Sequence, residues 1–600
     1  MDIYDKIIDL AKRRGFLWNS FELYGGAAGF FDYGPNGCSV KRNIENTWRD
    51  YYIRKEGYFE IEAPTVGIED VYIASGHVGG FSDPLCECVE CHSDFRADHL
   101  LEAAGFENAG AFSLKEIDEK IEKNNIVCSE CGGKLGTAYD FNLMFKTKIG
   151  PGGGRQGYMR PETAQGMFID FDRLLIHNRD KLPFGACQIG KSYRNEISPR
   201  QGVLRLREFT QAECEIFVDP EEKTHPEFSK YENVTLLLYP RDEQENEGNP
   251  IEMTVKEAVD SGIIAHEFLG YYVALTYDFL TEIGIDKSKL RFRQHLRDEM
   301  AHYAVDCWDA EILTERFGWV EAVGIADRTD YDLKAHSAQS KTELSVYVEF
   351  PEPVFEKRFT VRPDMAKLGP LFKGKAKQIG DLLKYMSESE LLEYENKETA
   401  TYDLKIENEL YKVPSNLVSF GEETIKLSGK TIVPHVIEPS YGIDRITYCV
   451  LEHAFYEETL ESSETSESSE ISDTSEKSEK ESEEDETRTV LRLKNKIAPF
   501  SVAVLPLIGK PELLKISKQI FESLVDSGLN VYYDDTGTIG KRYRRNDEIG
   551  IPYSVTIDFE TIDENTVTIR DRDSMKQIRA GAQTLPEKIK EMIKTEYKIE

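Results

Sequence analysis

The amino-acid sequence predicts an α+β multidomain fold, with a large antiparallel sheet, helices and insertions, followed by a smaller C-terminal α/β domain. The 600 residues exceed what one hydrophobic core organises, because domains usually contain about 100–200 residues. Strand-like and helix-like segments are mixed in the first 456 residues, whereas strands and helices alternate after residue 500. A Ser- and Glu-rich run between these two regions indicates a domain boundary.

The first predicted domain covers residues 1–456 and contains insertions. A Cys-rich insert lies at about 86–131, and further insertions lie at about 220–430. The Gly-rich segment 151–157 predicts a turn between two strands. Helical spacing of apolar residues occurs in 255–283 and 296–316, and strand-like alternation in 340–360 and 400–432.

The cysteines of the insert indicate a metal site. The signal is a set of four cysteines in two CxxC pairs: Cys88, Cys91, Cys128 and Cys131. Four thiolates close a tetrahedral zinc site, so the spacing predicts one structural Zn²⁺. Cys86 is a rival ligand, His92 could replace a thiolate, and reduced free cysteines are the alternative. Five further cysteines have no such spacing and are expected in the core: Cys38, Cys187, Cys214, Cys307 and Cys449.

The run 457–487 contains 14 acidic residues and two lysines. Because it has too little apolar surface to form a core, we expect it to be a disordered linker. The C-terminal domain is then 488–600. Its segment 501–507 predicts a strand, 511–528 shows helical spacing, and further strands are expected at 530–535 and 552–559. This alternation predicts a partly parallel sheet.

The net charge of −35 does not exclude a nucleic-acid partner, because the acidic run contributes a third of it and binding needs only a local basic patch. The candidate patch is Lys541, Arg542, Arg544 and Arg545, with a solvated helix face as the alternative. No stretch has the roughly 18 apolar residues of a membrane span, and the N-terminus lacks the pattern of a signal peptide. We therefore expect a cytoplasmic protein without membrane contact.

Arginines beside carboxylates and aromatics recur in three segments, 158–168, 192–213 and 436–448. A single such segment usually forms a solvated strand face. Their recurrence favours a site for a polyphosphate, since guanidinium groups bind phosphate oxygens in a fixed geometry. The Gly-rich segment 151–157 lacks the Lys-Ser/Thr of a P-loop, and no GxGxxG motif joins a strand to a helix. These absences argue against P-loop and dehydrogenase functions.

The same segments resemble the class II aminoacyl-tRNA synthetases. NTWRDYYIRKEGYFEIEAPTV (46–66) resembles their motif 1, YRNE with REF resembles motif 2, and GIDR resembles motif 3. Further segments are similar to the dimeric archaeal and eukaryotic type of glycyl-tRNA synthetase: ELYGGAAGFFDYGPNG (22–37), RPETAQG (160–166), RNEISPRQG (194–202), RFRQHLRDEMAHYAVDCWDAE (291–311) and IEPSYGIDR (437–445). Asp444 departs from the small residue that many class II enzymes have in motif 3.

The resemblance implies a class II antiparallel catalytic sheet, a C-terminal anticodon-binding domain, a homodimer formed through the motif 1 helix, and ATP with Mg²⁺, glycine and tRNA(Gly) as ligands. It implies that Arg194, Glu196 and Arg445 are catalytic, with Arg194 at the α-phosphate and Arg445 at the γ-phosphate. The implied ATP site consists of Arg194, Asn195, Glu196, Leu204, Arg205, Leu206, Arg207, Glu208, Phe209, Glu321, Ala322, Gly442, Ile443, Asp444 and Arg445.

The implied glycine site consists of Arg96, Glu162, Phe209, Thr210, Gln211, Ala212, Glu213, Glu438, Pro439, Ser440, Tyr441 and Gly442. Glu162 and Glu213 match the family's ammonium-binding positions, Phe209 is expected to stack on adenine, and Glu321 to hold Mg²⁺. Arg96 and Glu321 have ordinary surface residues as their alternatives. Glu299, His302 and Tyr303 are expected on one helix, more consistent with packing or a contact to the tRNA end than with metal binding.

The predicted function is a glycine–tRNA ligase that forms glycyl-adenylate and transfers glycine to the tRNA 3′ end. Two other functions stay open at this point. A class II ligase for another small amino acid would need a roomier pocket, and a non-catalytic tRNA-binding relative would have lost the motif arginines. Arg194, Arg207 and Arg445 are all present.

Overall fold

A computed structural model gives the fold of the chain, which divides into two compact units. One unit comprises residues 1–344 and 433–600, and the other comprises 345–432. The structure describes residues 2–106, 109–199, 202–300, 304–386, 390, 401–406, 409–459 and 487–599.

A nine-stranded sheet forms the centre of the first unit. Its strands in chain order are β1 (Phe59–Glu60), β2 (Phe184–Tyr193), β3 (Glu208–Val218), β4 (Thr235–Tyr239), β5 (Ile251–Thr254), β6 (Leu290–Gln294), β7 (Asp306–Thr314), β8 (Gly318–Thr329) and β9 (His435–Gly442). Their order in space is β5-β4-β6-β7-β8-β9-β3-β2-β1. Only the pairs β1/β2 and β4/β6 of this sheet are parallel, so the predicted large antiparallel sheet is confirmed.

Helices pack on the sheet through apolar faces. The helices are α1 (Ile3–Arg13), α2 (Pro35–Arg49), α3 (Ala164–Ile169), α4 (Glu267–Glu282), α5 (Tyr331–Ser340) and α6 (Ile443–Ala454). α4 is apolar nearly all round, which is typical of a helix buried in a core, and eleven of its residues are buried. α2 begins at Pro35, whose fixed φ suits the first turn. At Gly37 a Cβ would lie 1.9 Å from the carbonyl oxygen of Phe16, so only glycine permits this close approach.

The Cys-rich insert has its own small core, which includes Phe95, Leu101 and Ile117. Strands Ser82–Glu87, Asp94–Arg96 and Tyr139–Asn142 form one three-stranded sheet, and helices Ala97–Ala103 and Leu114–Lys123 complete the insert. A second three-stranded sheet contains strands Val66–Ile68, Lys146–Ile149 and Arg155–Met159. The last two strands flank the Gly-rich segment, as predicted.

The C-terminal domain begins after a hairpin of two strands, β10 (Phe455–Thr459) and β11 (Thr487–Leu491). Its sheet contains β12 (Val502–Pro506), β13 (Val531–Tyr533), β14 (Tyr553–Ile557), β15 (Thr566–Asp571) and β16 (Gln577–Gly581), in the order β13-β12-β14-β15-β16. β12 is parallel to β13 and β14, so the predicted partly parallel sheet is confirmed. Helices α7 (Pro511–Asp526), α8 (Ile539–Ile549), α9 (Phe559–Glu564) and α10 (Leu585–Lys594) accompany it.

The second unit contains a long antiparallel pair, Val346–Pro363 with Val418–Ile432. A second pair, Thr401–Ile406 with Glu409–Pro414, and helices Met365–Phe372 and Ala376–Lys384 surround a core that includes Leu368, Ile379 and Val413. The strand alternation predicted for this region is confirmed.

Two sequence-based expectations need correction. The helix predicted in 296–316 is wrong for residues 306–314, which form β7, where the core residues Trp308, Ala310 and Ile312 alternate with the buried acids Asp309 and Glu311. Residues 457–459 and 487, predicted to be linker, are paired strand ends. Residues 460–486, together with His302 and Tyr303, lie outside the described residues. Within the described chain, no helix combines the length and apolar character of a membrane span.

Candidate active site

The candidate active site is a cleft on the sheet face where β3, β8 and β9 meet the start of α6. Cross-strand register sets its floor: Gln211 pairs with Gly442, Glu213 with Ser440, and Ser440 with Gly324. The cleft is lined by Arg194, Glu196, Val203, Leu204, Arg205, Leu206, Phe209, Thr210, Gln211, Glu321, Ala322, Gly324, Ser440, Gly442, Asp444 and Arg445. Two of the three arginine-carrying segments, 192–213 and 436–448, therefore line one cavity, and the third, 158–168, contacts Glu213 behind it through Thr163.

Arg194 follows β2 directly and lies between two aromatic rings. Its guanidinium carbon is 5.4 Å from the ring centre of Phe81 and 5.3 Å from that of Phe209. Its Nε donates to the carbonyl of Pro161 at 3.3 Å. No carboxylate of the described chain lies within ion-pair distance of Arg194, so its charge is available to an anionic ligand.

Arg445, in the first turn of α6, is fixed by main-chain carbonyls. Its Nε donates to Leu204 at 3.0 Å and its Nη1 to the carbonyl of Glu321 at 2.8 Å. The carboxylate of Glu321 is 3.7 Å away and more than half exposed. These contacts hold the guanidinium in the wall of the cleft that Arg194 also lines, while leaving it only weakly neutralised.

A chain of ion pairs connects the cleft to the Cys-rich insert. Both Nε and Nη2 of Arg205 contact one oxygen of Glu196, at 2.7 and 2.6 Å. Arg205 is also 3.7 Å from Asp83, which Arg96 binds at 2.9 Å. Arg96 itself is not in the cleft wall, because Asp83 and its bond to Asp98 hold it in the insert.

Glu213 is the best-satisfied carboxylate of the site. One oxygen accepts from Ser440 at 2.6 Å and from Gln211 at 2.8 Å. The other accepts from the backbone N–H of Thr163 at 2.7 Å and from its hydroxyl. Four donors fix the position of this buried carboxylate directly behind Gln211 and Ser440, which line the cleft.

A second layer of carboxylates lies behind Glu213. Burial would raise the pKa of Glu162, but His77, Arg328 and the amide of Gln165 hold it well below its usual range. Burial raises the pKa of Glu438 to about 8, although Arg328 donates to it at 2.5 Å. The two glutamates therefore differ in charge near neutral pH.

Several predicted ligand residues do not line the cleft. The side chains of Ala212, Pro439 and Tyr441 alternate with the floor residues, and the Tyr441 hydroxyl contacts Tyr52 and Thr276 in the core. Ile443 is fully buried in that core as well. These four predictions are corrected. Six other predicted residues are also absent from the wall that the described residues form: Glu162, Asn195, Arg207, Glu208, Glu213 and Glu438.

Arg207 and Asp444 have supporting contacts. Arg207 donates to the carbonyls of Glu196 and Ala28, which fixes the loop after β2. Asp444 lines the cleft but is engaged by the Tyr33 hydroxyl at 2.5 Å and by the backbone N–H of Thr210. Its carboxylate therefore joins α6 to β3, which explains why an acid stands in this motif.

The sequence did not single out several residues that the fold brings here. They are Val203 and Gly324 in the cleft wall, and Thr163, Gln165, Arg328 and Asp332 around the glutamates. Thr163 and Gln165 lie within the RPETAQG segment, so that motif carried the signal. Arg328 and Asp332 come from the end of β8 and from α5, and nothing in their local sequence indicates the contact.

The four cysteines of the two CxxC pairs form one cluster, while Cys86 and His92 lie outside it. The Sγ atoms are 3.5 Å apart for Cys88 and Cys131, and 3.6 Å for Cys91 and Cys128. Sulfurs bound to one zinc at about 2.3 Å in a tetrahedron lie about 3.8 Å apart, so the cluster fits Zn²⁺. Backbone N–H groups of Glu130 and Gly133 point at two of the sulfurs, an arrangement that stabilises thiolates.

The predicted basic patch on α8 is smaller than its composition suggests. Arg542 is only 2% exposed and donates to the carbonyls of Pro506, Leu507 and Asp534, so its prediction as a surface contact is wrong. Arg545 is paired with Asp534 at 2.6 Å. A shallow concave surface remains, lined by Arg14, Gly540, Lys541, Arg544 and Arg545.

The fold and the cleft agree with known domains. Residues 145–454 match the tRNA synthetase class II core domain (G, H, P, S and T), and residues 501–592 match an anticodon binding domain. A nine-stranded, mainly antiparallel sheet with paired arginines over its floor, together with these matches, defines a class II aminoacyl-tRNA synthetase.

Comparison with similar proteins shows to which family of class II synthetases the chain belongs. The chain is 53% identical to a glycine–tRNA ligase of Methanothrix thermoacetophila, over 99% of this chain and 97% of that protein. It is 50% identical to a glycine–tRNA ligase of Methanocaldococcus jannaschii, over 99% of each. A solved prolyl-tRNA synthetase of Giardia lamblia with prolyl-adenylate is 11% identical, with a TM-score of 0.49 and coverage of 99% and 79%. Because its identity to the two ligases is at least 50% over nearly the full length of each, the chain belongs to the glycine–tRNA ligase family.

Proposed function

We propose that the cleft activates glycine with ATP and that the C-terminal domain holds the tRNA that receives the glycyl group. The observation that carries this proposal is that two weakly neutralised arginines, Arg194 and Arg445, line one cleft together with Ser440, which donates to Glu213 directly behind it. Such a cleft offers cationic groups to a triphosphate and a carboxylate to an ammonium.

In the activation step, the glycine carboxylate attacks the α-phosphorus of ATP in line and pyrophosphate leaves. Positioning and charge neutralisation carry the rate, because no protein nucleophile is needed. Arg194 contacts the α-phosphate, Arg445 the γ-phosphate, and Phe209 stacks on adenine. Glu196 fixes Arg205 beside them. Glu321 would hold Mg²⁺, which would neutralise phosphate charge.

The glycine ammonium is bound by Glu213 with Ser440 beside it, and Glu162 adds a second negative charge. Glycine has no side chain, so the site must exclude alanine by a steric clash with its methyl group. A methyl group that merely fits would change binding by only about 1–3 kcal/mol. The closed register of β3, β8 and β9 under the site, which pairs Ser440 with both Glu213 and Gly324, supports a rigid floor.

The Cys88, Cys91, Cys128 and Cys131 cluster holds one structural Zn²⁺. A closed set of four thiolates leaves no coordination position for a substrate, so the metal supports the insert. On α8, Lys541 and Arg544 contact tRNA phosphates.

The protein acts as a homodimer through the region of α2. Two exposed apolar side chains support the proposal, Leu23 at 89% and Tyr24 at 85%, in the 3-10 turn Glu22–Tyr24, which the strand Phe31–Tyr33 separates from α2. Sedimentation equilibrium is expected to give a dimer, and Leu23→Asp with Tyr24→Asp to shift it toward monomer. A wild-type monomer at micromolar concentration would contradict this part of the proposal.

The central test is Arg194→Ala in glycine-dependent ATP–pyrophosphate exchange. Losing one preorganised cationic donor at the reacting phosphate is expected to cost about 3–4 kcal/mol in the transition state, a loss of about 10²–10³ in rate. Arg173→Ala is the matched control, because Arg173 is 86% exposed and far from the cleft wall. Wild-type exchange by Arg194→Ala, with circular dichroism unchanged, would remove Arg194 from the site.

A further inference from the structure

Glu215 is a buried acid that the activation step does not use. It lies two residues after Glu213 in β3 and therefore faces the same side of the sheet. Its side chain is completely buried, and neither carboxylate oxygen has a hydrogen-bond partner among the described residues. An ionised carboxylate in such a position is strongly unfavourable, so the residue requires an explanation.

The strand register sets Glu215 directly opposite Glu438. Glu213 pairs with Ser440 and Ile216 with Ile437 between β3 and β9, which aligns the two glutamates on neighbouring strands. Like charges at directly opposed positions destabilise a sheet. On its other side Glu215 pairs with Ala186 of β2, which offers no polar side chain.

Too few cations face this pair to neutralise it. The charged groups around it come from every element that packs there: Glu162 before α3, Glu213 of β3, Arg328 of β8, Asp332 of α5 and Glu438 of β9. Arg328 divides its donors between Asp332, at 2.8 Å, and Glu438, at 2.5 Å. Burial, and after it the charge of Glu438, raises the pKa of Glu215 far above its usual range.

We propose that Glu215 is a positioning residue for glycine, which holds a proton while the site is empty and gives that proton up when the glycine ammonium binds. The inference rests on the proposed function of the cleft. Binding adds one positive charge beside Glu213, which makes a second ionised carboxylate favourable behind it. The proton leaves to water, so that one proton is released per glycine bound, and no covalent bond to glycine changes.

The inference predicts a pH-dependent KM for glycine in the exchange reaction. Because a proton is released, the KM of the wild-type enzyme falls as pH rises from 6.5 to 8.5, by at most about tenfold per pH unit. In Glu215→Gln, the amide has no proton to release at this position. The KM of this variant is therefore expected to vary less with pH than that of the wild type and to lie close to the wild-type value at pH 6.5. Glu252→Gln, an exposed strand residue, is the matched control and keeps the wild-type profile.

A second measurement needs only the wild-type protein. Calorimetric titration with glycine at pH 7.5, repeated in buffers of different ionisation enthalpy, is expected to show proton release. No release, or a Glu215→Gln variant with the wild-type KM profile, would overturn the inference while leaving the proposed function intact. Absence of glycine-dependent exchange at every pH would instead overturn the proposed function, and this inference with it.

Discussion

Replacing Arg488 by methionine tests how the C-terminal domain is held. Arg488 is the second residue of β11 and is completely buried. Its Nε donates to Asp547 of α8 at 2.9 Å, its Nη1 to Glu458 of β10 at 2.7 Å, and its Nη2 to the carbonyl of Arg572. One side chain thereby joins the hairpin to both α8 and the segment after β15.

The magnitude follows from what remains after the change. Removing one partner of a buried ion pair typically costs about 3–5 kcal/mol, because the other charge is left unpaired. Here Arg570 keeps both oxygens of Asp547, at 2.8 and 3.1 Å, and Arg492 keeps Glu458. Because each acid keeps an arginine partner, we expect a smaller loss of about 2–3 kcal/mol in the free energy of unfolding of the C-terminal domain.

Urea unfolding with two probes separates the domains. All four tryptophans precede residue 320, so tryptophan fluorescence reports the catalytic part, whereas far-ultraviolet circular dichroism reports both parts. In Arg488→Met, part of the dichroism change is expected to move to lower urea by about 1–2 M, with the fluorescence midpoint unchanged. Glycine-dependent exchange is expected to persist, while tRNA glycylation falls.

Arg492→Met is the control, because Arg492 contacts the same Glu458 but is 36% exposed and is expected to contribute only about 0–1 kcal/mol. The reasoning is refuted if Arg488→Met costs no more than Arg492→Met. It is also refuted if both probes shift together, since Arg488 would then stabilise the whole unit.

Four further predictions concern other parts of the molecule. Chelator-washed protein is expected to hold about one zinc per chain by elemental analysis, and Cys128→Ser to lose it together with the order of the insert. Deletion of 461–486 is expected to leave the melting temperature and adenylate formation near wild type, because loop closure changes by only about 0.6 kcal/mol per halving of length; loss of either contradicts this. Lys541→Ala is expected to weaken tRNA binding and reduce its salt dependence, whereas Arg542→Ala lowers stability by thermal melting, and the reverse pattern would contradict the assignment. Glu215 binds its proton more tightly in the folded than in the unfolded chain, so it makes stability fall as pH rises above about 4.5; Glu215→Gln is expected to flatten the melting temperature over pH 5–8.

Much of the fold could be predicted from the sequence, because its signals are local. The two CxxC pairs, the alternation of the C-terminal domain and the motif segments each lie within a few residues. β7 was missed although Trp308, Ala310 and Ile312 alternate with Asp309 and Glu311, because so short an alternation does not outweigh a spacing that also fits a helix. Its apolar residues fit helical spacing equally well.

The composition of a helix also does not determine which of its residues face the core. In α8, Arg542, Asn546 and Ile549 recur at helical spacing and form the buried face, so one arginine of a basic run was assigned to the wrong side. Glu215 illustrates the remaining limit. Its neighbour Glu438 is distant in the chain and becomes opposite only through strand register, which the sequence does not specify.

The hairpin of β10 and β11 has a consequence for the integrity of the polypeptide. Thr459 and Thr487 pair with each other at the end of this hairpin, so these two points of the chain, 28 positions apart, are neighbours in space. A protease that cut between them would therefore yield two polypeptides without separating the parts they belong to. The nicked enzyme would migrate as two bands in denaturing gels and as one species in native ones, and two separately expressed halves that end at these threonines could reassemble into one working ligase.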